Sequence, residues 1–334
     1  MEINPILQNV LAPPVLFFLI GAISVLFKSD LEIPAPLPKL FSLYLLLAIG
    51  FKGGIAIQQE IGLTDQVLPT LSAAILMSLI IPLIGFFILS YKFDVFNSAA
   101  IAAAYGSISA VTFISAETFL QSQEIAFNGF MVGALALMES PAIIVGLLLV
   151  KFAAPKNRPN SRKMHIRSIL HESFLNGSVY LLLSSLIVGF LTSFSNPANI
   201  AKMEPFTGRL FYGAECFFLL DMGIVAAQRL PRLKNAGSFL IGFAIFMPLF
   251  NAFIGVFVAR FLSLETGNAL LFVVLCASAS YLAVPAAMRM PVPEAKSSYY
   301  ISTTLGLTFP FNIVLGIPIY MSLVNKIIPP ISPF

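Results

Sequence analysis

The stretch SAAILMSLIIPLIGFFILS, Ser72 to Ser90, runs nineteen residues without an ionisable side chain. At 1.5 Å rise per residue, a helix of about 20 residues spans the ~30 Å hydrocarbon core of a bilayer. Inside lipid only a helix or a closed barrel satisfies its own backbone groups. Comparable apolar runs recur along the chain, with cores at 12–27, 40–58, 67–91, 97–121, 128–153, 173–194, 206–228, 237–262, 268–288 and 298–324. Hydrophobic residues make up 58% of the sequence and charged residues only 10%, far from the balance of a soluble domain. The expected class is an all-α polytopic membrane protein of ten transmembrane helices. Its first run lacks a basic leader and a small-residue cleavage pattern, so it is expected to stay as a span. Pro82, Pro141, Pro248, Pro285, Pro310 and Pro318 fall inside runs and predict kinked helices.

Charge placement predicts orientation. If the connections alternate sides, one set carries fourteen basic residues, the opposite set with the C-terminal end carries four, and Lys52 lies within a span. Basic residues gather in cytoplasmic loops, which predicts both termini outside. The net charge of +4 is accounted for by this sorting and does not imply nucleic-acid binding. Cys216 and Cys276 lie in apolar runs without C-x-x-C spacing, and read as buried small hydrophobes.

The most basic connection, KNRPNSRKMHIR, joins the fifth and sixth runs and divides the chain into residues 1–155, a cytoplasmic linker at 156–170, and residues 171–334. The two parts resemble each other. GGIAIQQ from Gly53 aligns with MGIVAAQ from Met222 at an offset of 169, and the segment from Asn97 aligns with that from Asn268 at an offset of 171, matching Ser107 with Ser278 and Ser109 with Ser280. Five spans per half is an odd number, so the halves enter the membrane from opposite sides. A 5+5 inverted repeat of this kind recurs in secondary transporters.

AAAYGSISAVT, Ala102 to Thr112, and CASASYLAV, Cys276 to Val284, replace bulky side chains by tiny ones bearing hydroxyls. One such segment alone is accounted for by close helix packing. Two at equivalent positions favour paired breaks, in discontinuous helices 4 and 9, where backbone groups and hydroxyls meet a small ligand. Four ionisable residues stand out within spans, where a charge costs about 2.5–3.5 kcal/mol: Lys52, Glu139, Glu215 and Asp221. Lys52 and Asp221 are repeat-equivalent and are expected to form a structural ion pair. Glu139 precedes Pro141, while Thr308, Pro310 and Asn312 occupy the matching region of the other half. Their oxygens suit a hard cation such as sodium, unless Glu139 simply faces water near a span end. Glu215 reads as a helix–helix hydrogen-bonding group.

IGFKGGIAI at Ile49, YGSISAVT at Tyr105, ALMESPA at Ala136, and ASASYLAVPAAMRMPVP leading into FPFNIVLGIPIY together resemble the cyanobacterial-type sodium-dependent bicarbonate transporter family over nearly the whole chain. The resemblance implies ten helices in a 5+5 inverted repeat, with helices 1, 2, 6 and 7 as a scaffold or gate and helices 3–5 and 8–10 as a moving core. It also implies a homotrimer in a bacterial inner membrane, sodium–bicarbonate symport, and regulation by a PII-like cytoplasmic protein. Carried over by position, the anion would meet Ser107, Ser109, Ala110, Thr112, Ser278, Ser280 and Tyr281. Sodium, the coupling ion, would use Ser109, Glu139, Thr304, Thr308 and Asn312. Tyr281 stands where familiar members carry Asp, Val111 where they carry Ser, and the central loop is shorter.

The function expected is therefore sodium-coupled bicarbonate symport, with no cofactor and with lipid as the surrounding partner. The alternatives are a carrier of another small anion, for example a monocarboxylate, and a non-transporting anion sensor. An enzyme is not expected: the only histidines, His165 and His171, lie in or beside the central loop, and no H-E-x-x-H spacing occurs.

Overall fold

The computed structural model describes residues 5–34, 36–59, 64–153, 177–194, 197–233, 237–281, 283–289 and 291–328. The linker expected at 156–170 and both histidines lie outside them. The described residues form helices without strands: α1 (Pro5–Val10), α2 (Pro13–Leu26), α3 (Pro36–Gln59), α4 (Thr64–Leu89), α5 (Val95–Gly106), α6 (Ala110–Ser122) and α7 (Phe130–Ala153) in the first part. The second part holds α8 (Gly177–Thr192), α9 (Pro197–Glu204), α10 (Leu210–Leu233), α11 (Ser238–Phe261), α12 (Thr266–Ala277), α13 (Ala283–Arg289) and α14 (Ser297–Ile327). Seven helical stretches are long and apolar enough to cross a membrane, counting α5–α6 and α9–α10 as one each. Three more, α2, α8 and α12, are shorter and apolar.

Proline shapes several of these helices. It lacks an N–H, and its ring collides with the carbonyl one turn back. α14 absorbs Pro310 and Pro318 through wider π-helical turns at Thr304–Thr308 and Asn312–Gly316, each just ahead of a proline. Pro82, Pro141 and Pro248 remain inside helical α4, α7 and α11.

Lipid gives apolar surfaces no reason to leave it, so membrane helices associate through small residues that let backbones touch. Two helix pairs do this. α2 packs on α10 and α3 on α8, and a Cβ added at Gly21 would lie 2.1 Å from the Leu220 carbonyl oxygen, at Gly223 2.0 Å from that of Phe18. In the second pair, a Cβ at Gly54 would lie 2.0 Å from the Leu186 oxygen and at Gly189 2.1 Å from that of Phe51. No side chain fits at these four crossings.

α5 and α12 form the centre of the bundle, with every side chain from Asn97 to Gly106 and from Gly267 to Ala277 buried. α4, α6, α7, α11 and α14 surround them, while Leu68, Phe87 and Phe261 point outward. Two asparagines tie the parts together. Asn97 Oδ1 accepts the Lys296 N–H at the start of α14, and Asn268 Oδ1 accepts the Asn128 N–H just before α7, both at 2.8 Å.

The expected Lys52–Asp221 ion pair is not formed. Lys52 is exposed, with its ammonium 5.4 Å over the Phe211 ring, and Asp221 lines a separate groove with Asp30, Glu32 and Gln228. Phe211 and Asp221 are ten residues apart on α10, about 15 Å along the axis. α3 and α10 run antiparallel, so equivalent residues away from the crossing point of the two helices land at opposite ends.

Candidate functional site

Both small-residue segments are breaks. α5 ends at Gly106, where a Cβ would lie 2.1 Å from Pro82 Cγ. Ser107 then turns to extended backbone (φ −87°, ψ 162°) and α6 starts at Ala110. α12 ends the same way, with Ser278 extended (φ −79°, ψ 170°) and α13 starting at Ala283. The second serine of each segment caps the helix that follows. Ser109 Oγ accepts the Thr112 N–H at 3.2 Å and the Thr112 hydroxyl at 2.9 Å, while Ser280 Oγ accepts the Val284 N–H at 3.4 Å. Serine suits this position because its oxygen reaches back to an N–H that has no carbonyl partner.

The breaks cross in direct contact. The Ser109 N–H donates to Ser278 Oγ at 3.0 Å, and the Ser280 N–H donates to the Ala104 carbonyl at 2.8 Å. A narrow cavity of about 30 Å³ lies against the crossing. Its polar lining is Ser109, Ser280 and Tyr281 from the two breaks and Glu139 of α7, with Ser42 of α3 and Ser178 of α8. Leu45, Leu46, Val111 and Ile114 supply an apolar wall. Glu139 is only 6% exposed, and among the described residues no hydrogen bond or ion pair reaches its carboxylate. The Tyr281 hydroxyl is buried near the Ser109 side chain without a well-formed hydrogen bond to it, its ring held edge-on against Phe309 at 5.2 Å. A carboxylate and hydroxyls together can hold a monovalent cation. The free N–H groups at the start of α6, with the positive end of its dipole, can hold an oxyanion.

The structure divides the residues singled out by sequence. Ser109, Ala110, Glu139, Ser280 and Tyr281 line the cavity. Ser107, Thr112 and Ser278 lie behind it: the Ser107 hydroxyl donates to the Glu139 carbonyl at 3.1 Å, Thr112 to Ser109, and Ser278 to the Leu275 carbonyl. Thr304, Thr308 and Asn312 are hydrogen-bonded within the bundle rather than brought to the cavity. Thr304 donates to the Tyr300 carbonyl at 2.7 Å. Thr308 bridges the Tyr105 hydroxyl at 2.6 Å and the Ala244 carbonyl at 2.8 Å. Asn312 donates to the Ala277 carbonyl at 3.0 Å and accepts from Tyr320 at 2.6 Å. As the sequence suggests, Glu215 bonds helix to helix, accepting from Ser115 and Thr118.

Sequence reading missed Ser42, Leu45, Leu46 and Ser178, which look ordinary in an apolar run. It also passed over Glu117, a buried carboxylate inside the fourth run that hydropathy alone should have flagged. Among the described residues no group of three or more His, Cys, Asp or Glu side chains could hold a metal ion. Comparison with curated proteins gives no match. The family model described as the Na+-dependent bicarbonate transporter superfamily matches residues 13–325. Spanning nearly the whole chain and both crossed breaks, that match places this multi-pass membrane protein in the Na+-dependent bicarbonate transporter superfamily.

Proposed function

We propose that the protein is a sodium-coupled bicarbonate symporter working by alternating access. The carrying observation is the cavity at the crossed breaks, where the Glu139 carboxylate stands close to Ser109 and the N-terminus of α6. Bicarbonate takes the amide and hydroxyl donors, and sodium takes Glu139, Ser109 and the oxygens around them. Loaded together, the two ions offset each other's charge, whereas an unaccompanied ion in apolar surroundings is penalised heavily. That difference couples their movement.

On the same reading the chain is a 5+5 inverted repeat of ten spans, supported by correspondences between its two parts. At offsets of 168–171, Gly21 matches Gly189, Gly54 matches Gly223, Phe18 matches Leu186 and Phe51 matches Leu220, so the four close crossings form two equivalent pairs. Asn97 and Asn268 match, and so do the main-chain groups that they accept, Asn128 and Lys296. α2, α3, α8 and α10 form the gate; α4–α7 and α11–α14 form the core. We place the chain in a bacterial inner membrane with both termini outside, as a homotrimer.

A different small anion, such as a monocarboxylate, is the second reading. Tyr281 and the apolar wall of Leu45, Leu46 and Val111 favour it, because they can receive a short hydrocarbon tail.

The test is uptake of labelled bicarbonate into proteoliposomes at alkaline pH under an inward sodium gradient, with matched potassium as control. Uptake is expected to be saturable and sodium-driven, and to fall about tenfold or more in Ser109→Ala/Ser280→Ala, which loses two hydroxyl contacts. Absence of sodium-driven uptake alongside accumulation of a monocarboxylate would select the second reading.

A further inference from the structure

The cavity lies toward the end of the bundle where α3 and α8 begin, since Ser42, Leu45 and Leu46 belong to the first half of α3 and Ser178 to the first turn of α8. Toward the opposite end the same two helix groups are tied together by hydrogen bonds beneath a separate pocket of about 200 Å³ that Asn9, Ser115, Thr118 and Tyr212 line. Glu215 of α10, with no exposed surface, accepts from Ser115 Oγ at 3.1 Å and Thr118 Oγ1 at 2.9 Å, both on α6. Asn9 of α1 donates to the carbonyls of Ile313 at 2.9 Å and Val314 at 3.2 Å in α14. Glu117 of α6 faces the same interface, within electrostatic reach of Glu215 and Lys52.

At an offset of 169, Leu46 corresponds to Glu215, Leu45 to Ala214 and Ser178 to Asn9. Two positions that line the cavity in one half, Leu46 and Ser178, thus correspond to Glu215 and Asn9, which are hydrogen-bonded to the core in the other. We infer that Glu215, held by Ser115 and Thr118 and assisted by Asn9, is the latch that closes the second access path, and that its release exposes α10 as the wall of an outward-facing cavity. This rests on the alternating-access reading proposed above.

The chemistry suits a two-position element. The Glu215 carboxyl is fully buried and its two hydrogen bonds come from across the interface, so its oxygens stay satisfied only while the helices remain together, which holds the closed arrangement within the bundle. When the mouth opens, water replaces the two hydroxyls around the carboxylate, so the open arrangement is also solvated. Leu46, its counterpart, closes its own side by packing alone. The two gates are therefore held by different forces.

The test needs no transport. Cys216 and Cys276, both buried, are replaced by serine, and one reporter is introduced as Ala214→Cys or, separately, as Leu45→Cys. Labelling by a membrane-impermeant thiol reagent is followed on each face of sealed vesicles. Adding Ser115→Ala/Thr118→Val is expected to raise labelling at position 214 from the outer face about tenfold, equivalent to about 1.4 kcal/mol, and to lower labelling at position 45 from the inner face. Unchanged labelling at 214 overturns the latch. A rise at both positions, the sign of general loosening, overturns it as well. Reciprocal labelling without any bicarbonate uptake leaves the latch standing and removes the transport reading instead.

Discussion

Residues 13–153 and 177–327 make matching backbone contacts and carry different side chains where the helices break. In each part a glycine on one outer helix meets a carbonyl of the helix it packs on, an asparagine of a central helix accepts an N–H from the other part, and a serine caps the second half-helix. The chemistry then diverges. Glu139 faces the cavity, whereas the equivalent Thr308 is tied to Tyr105 and the Ala244 carbonyl. Tyr281 closes over the crossing, whereas its equivalent is Ala110. α6 runs 13 residues and α13 only 7. The backbone scaffold is used twice, whereas the polar side chains that line the cavity at the crossing are not repeated between the two parts.

The strongest way to break this comparison is to load its four closest crossings. Gly21→Ala, Gly54→Ala, Gly189→Ala and Gly223→Ala each place a methyl 2.0–2.1 Å from a carbonyl oxygen, so the helices must separate. Overpacking of this kind costs about 1–3 kcal/mol or more. All four variants are expected to show a lower Tm and poorer recovery of folded protein in detergent. Gly213→Ala and Gly242→Ala, where an added Cβ meets nothing within 4 Å, should match the parent. Sensitivity at α2–α10 without sensitivity at α3–α8 would end the equivalence of the pairs.

A smaller effect sharpens it. Asn97→Ala and Asn268→Ala each leave a part-buried helix-start N–H in the opposite part without its acceptor. A lost hydrogen bond is worth about 0.5–1.5 kcal/mol, so the two variants should lose similar stability. Hydrogen exchange gives the finer readout: the Lys296 amide should exchange faster in the first variant and the Asn128 amide in the second. Faster exchange at both amides in either variant would show that the asparagines hold one shared unit rather than two separate ties.

What was legible in sequence follows from what a membrane demands. Lipid forces apolar length on every span, so the helical runs stood out. Breaks demand small residues and capping oxygens, so Ser109 and Ser280 stood out as well, and their common spacing exposed the internal likeness. Side-chain direction was not legible. Thr308 and Asn312 share the polar character of a ligand set, yet each found a carbonyl or hydroxyl freed nearby. Lys52 and Asp221 align in sequence, but the antiparallel course of α3 and α10 carries them apart. The α3 and α8 wall of Ser42, Leu45, Leu46 and Ser178 has no sequence signature, because a cavity wall in lipid-compatible helices uses the same residues as a lipid face.

The smallest predicted effect bears on the sharpest difference between the halves, Tyr281 against Ala110. Tyr281→Phe removes a buried hydroxyl that lies near Ser109 without a well-formed hydrogen bond, while keeping the ring edge-on to Phe309. Deleting a poorly satisfied buried hydroxyl relieves a desolvation cost, so Tm should hold or rise slightly. If the hydroxyl meets the transported anion, the loss appears only with substrate: KM rises about tenfold, the low end of what one hydrogen bond to a charged group is worth, with kcat unchanged. A raised Tm with an unaltered KM would make Tyr281 a wall of the cavity and return recognition to Ser109, Ser280 and the α6 N-terminus. A raised KM for bicarbonate with an unaltered KM for a monocarboxylate would show that the hydroxyl reads the third oxygen, the one atom of the bicarbonate head that a carboxylate lacks.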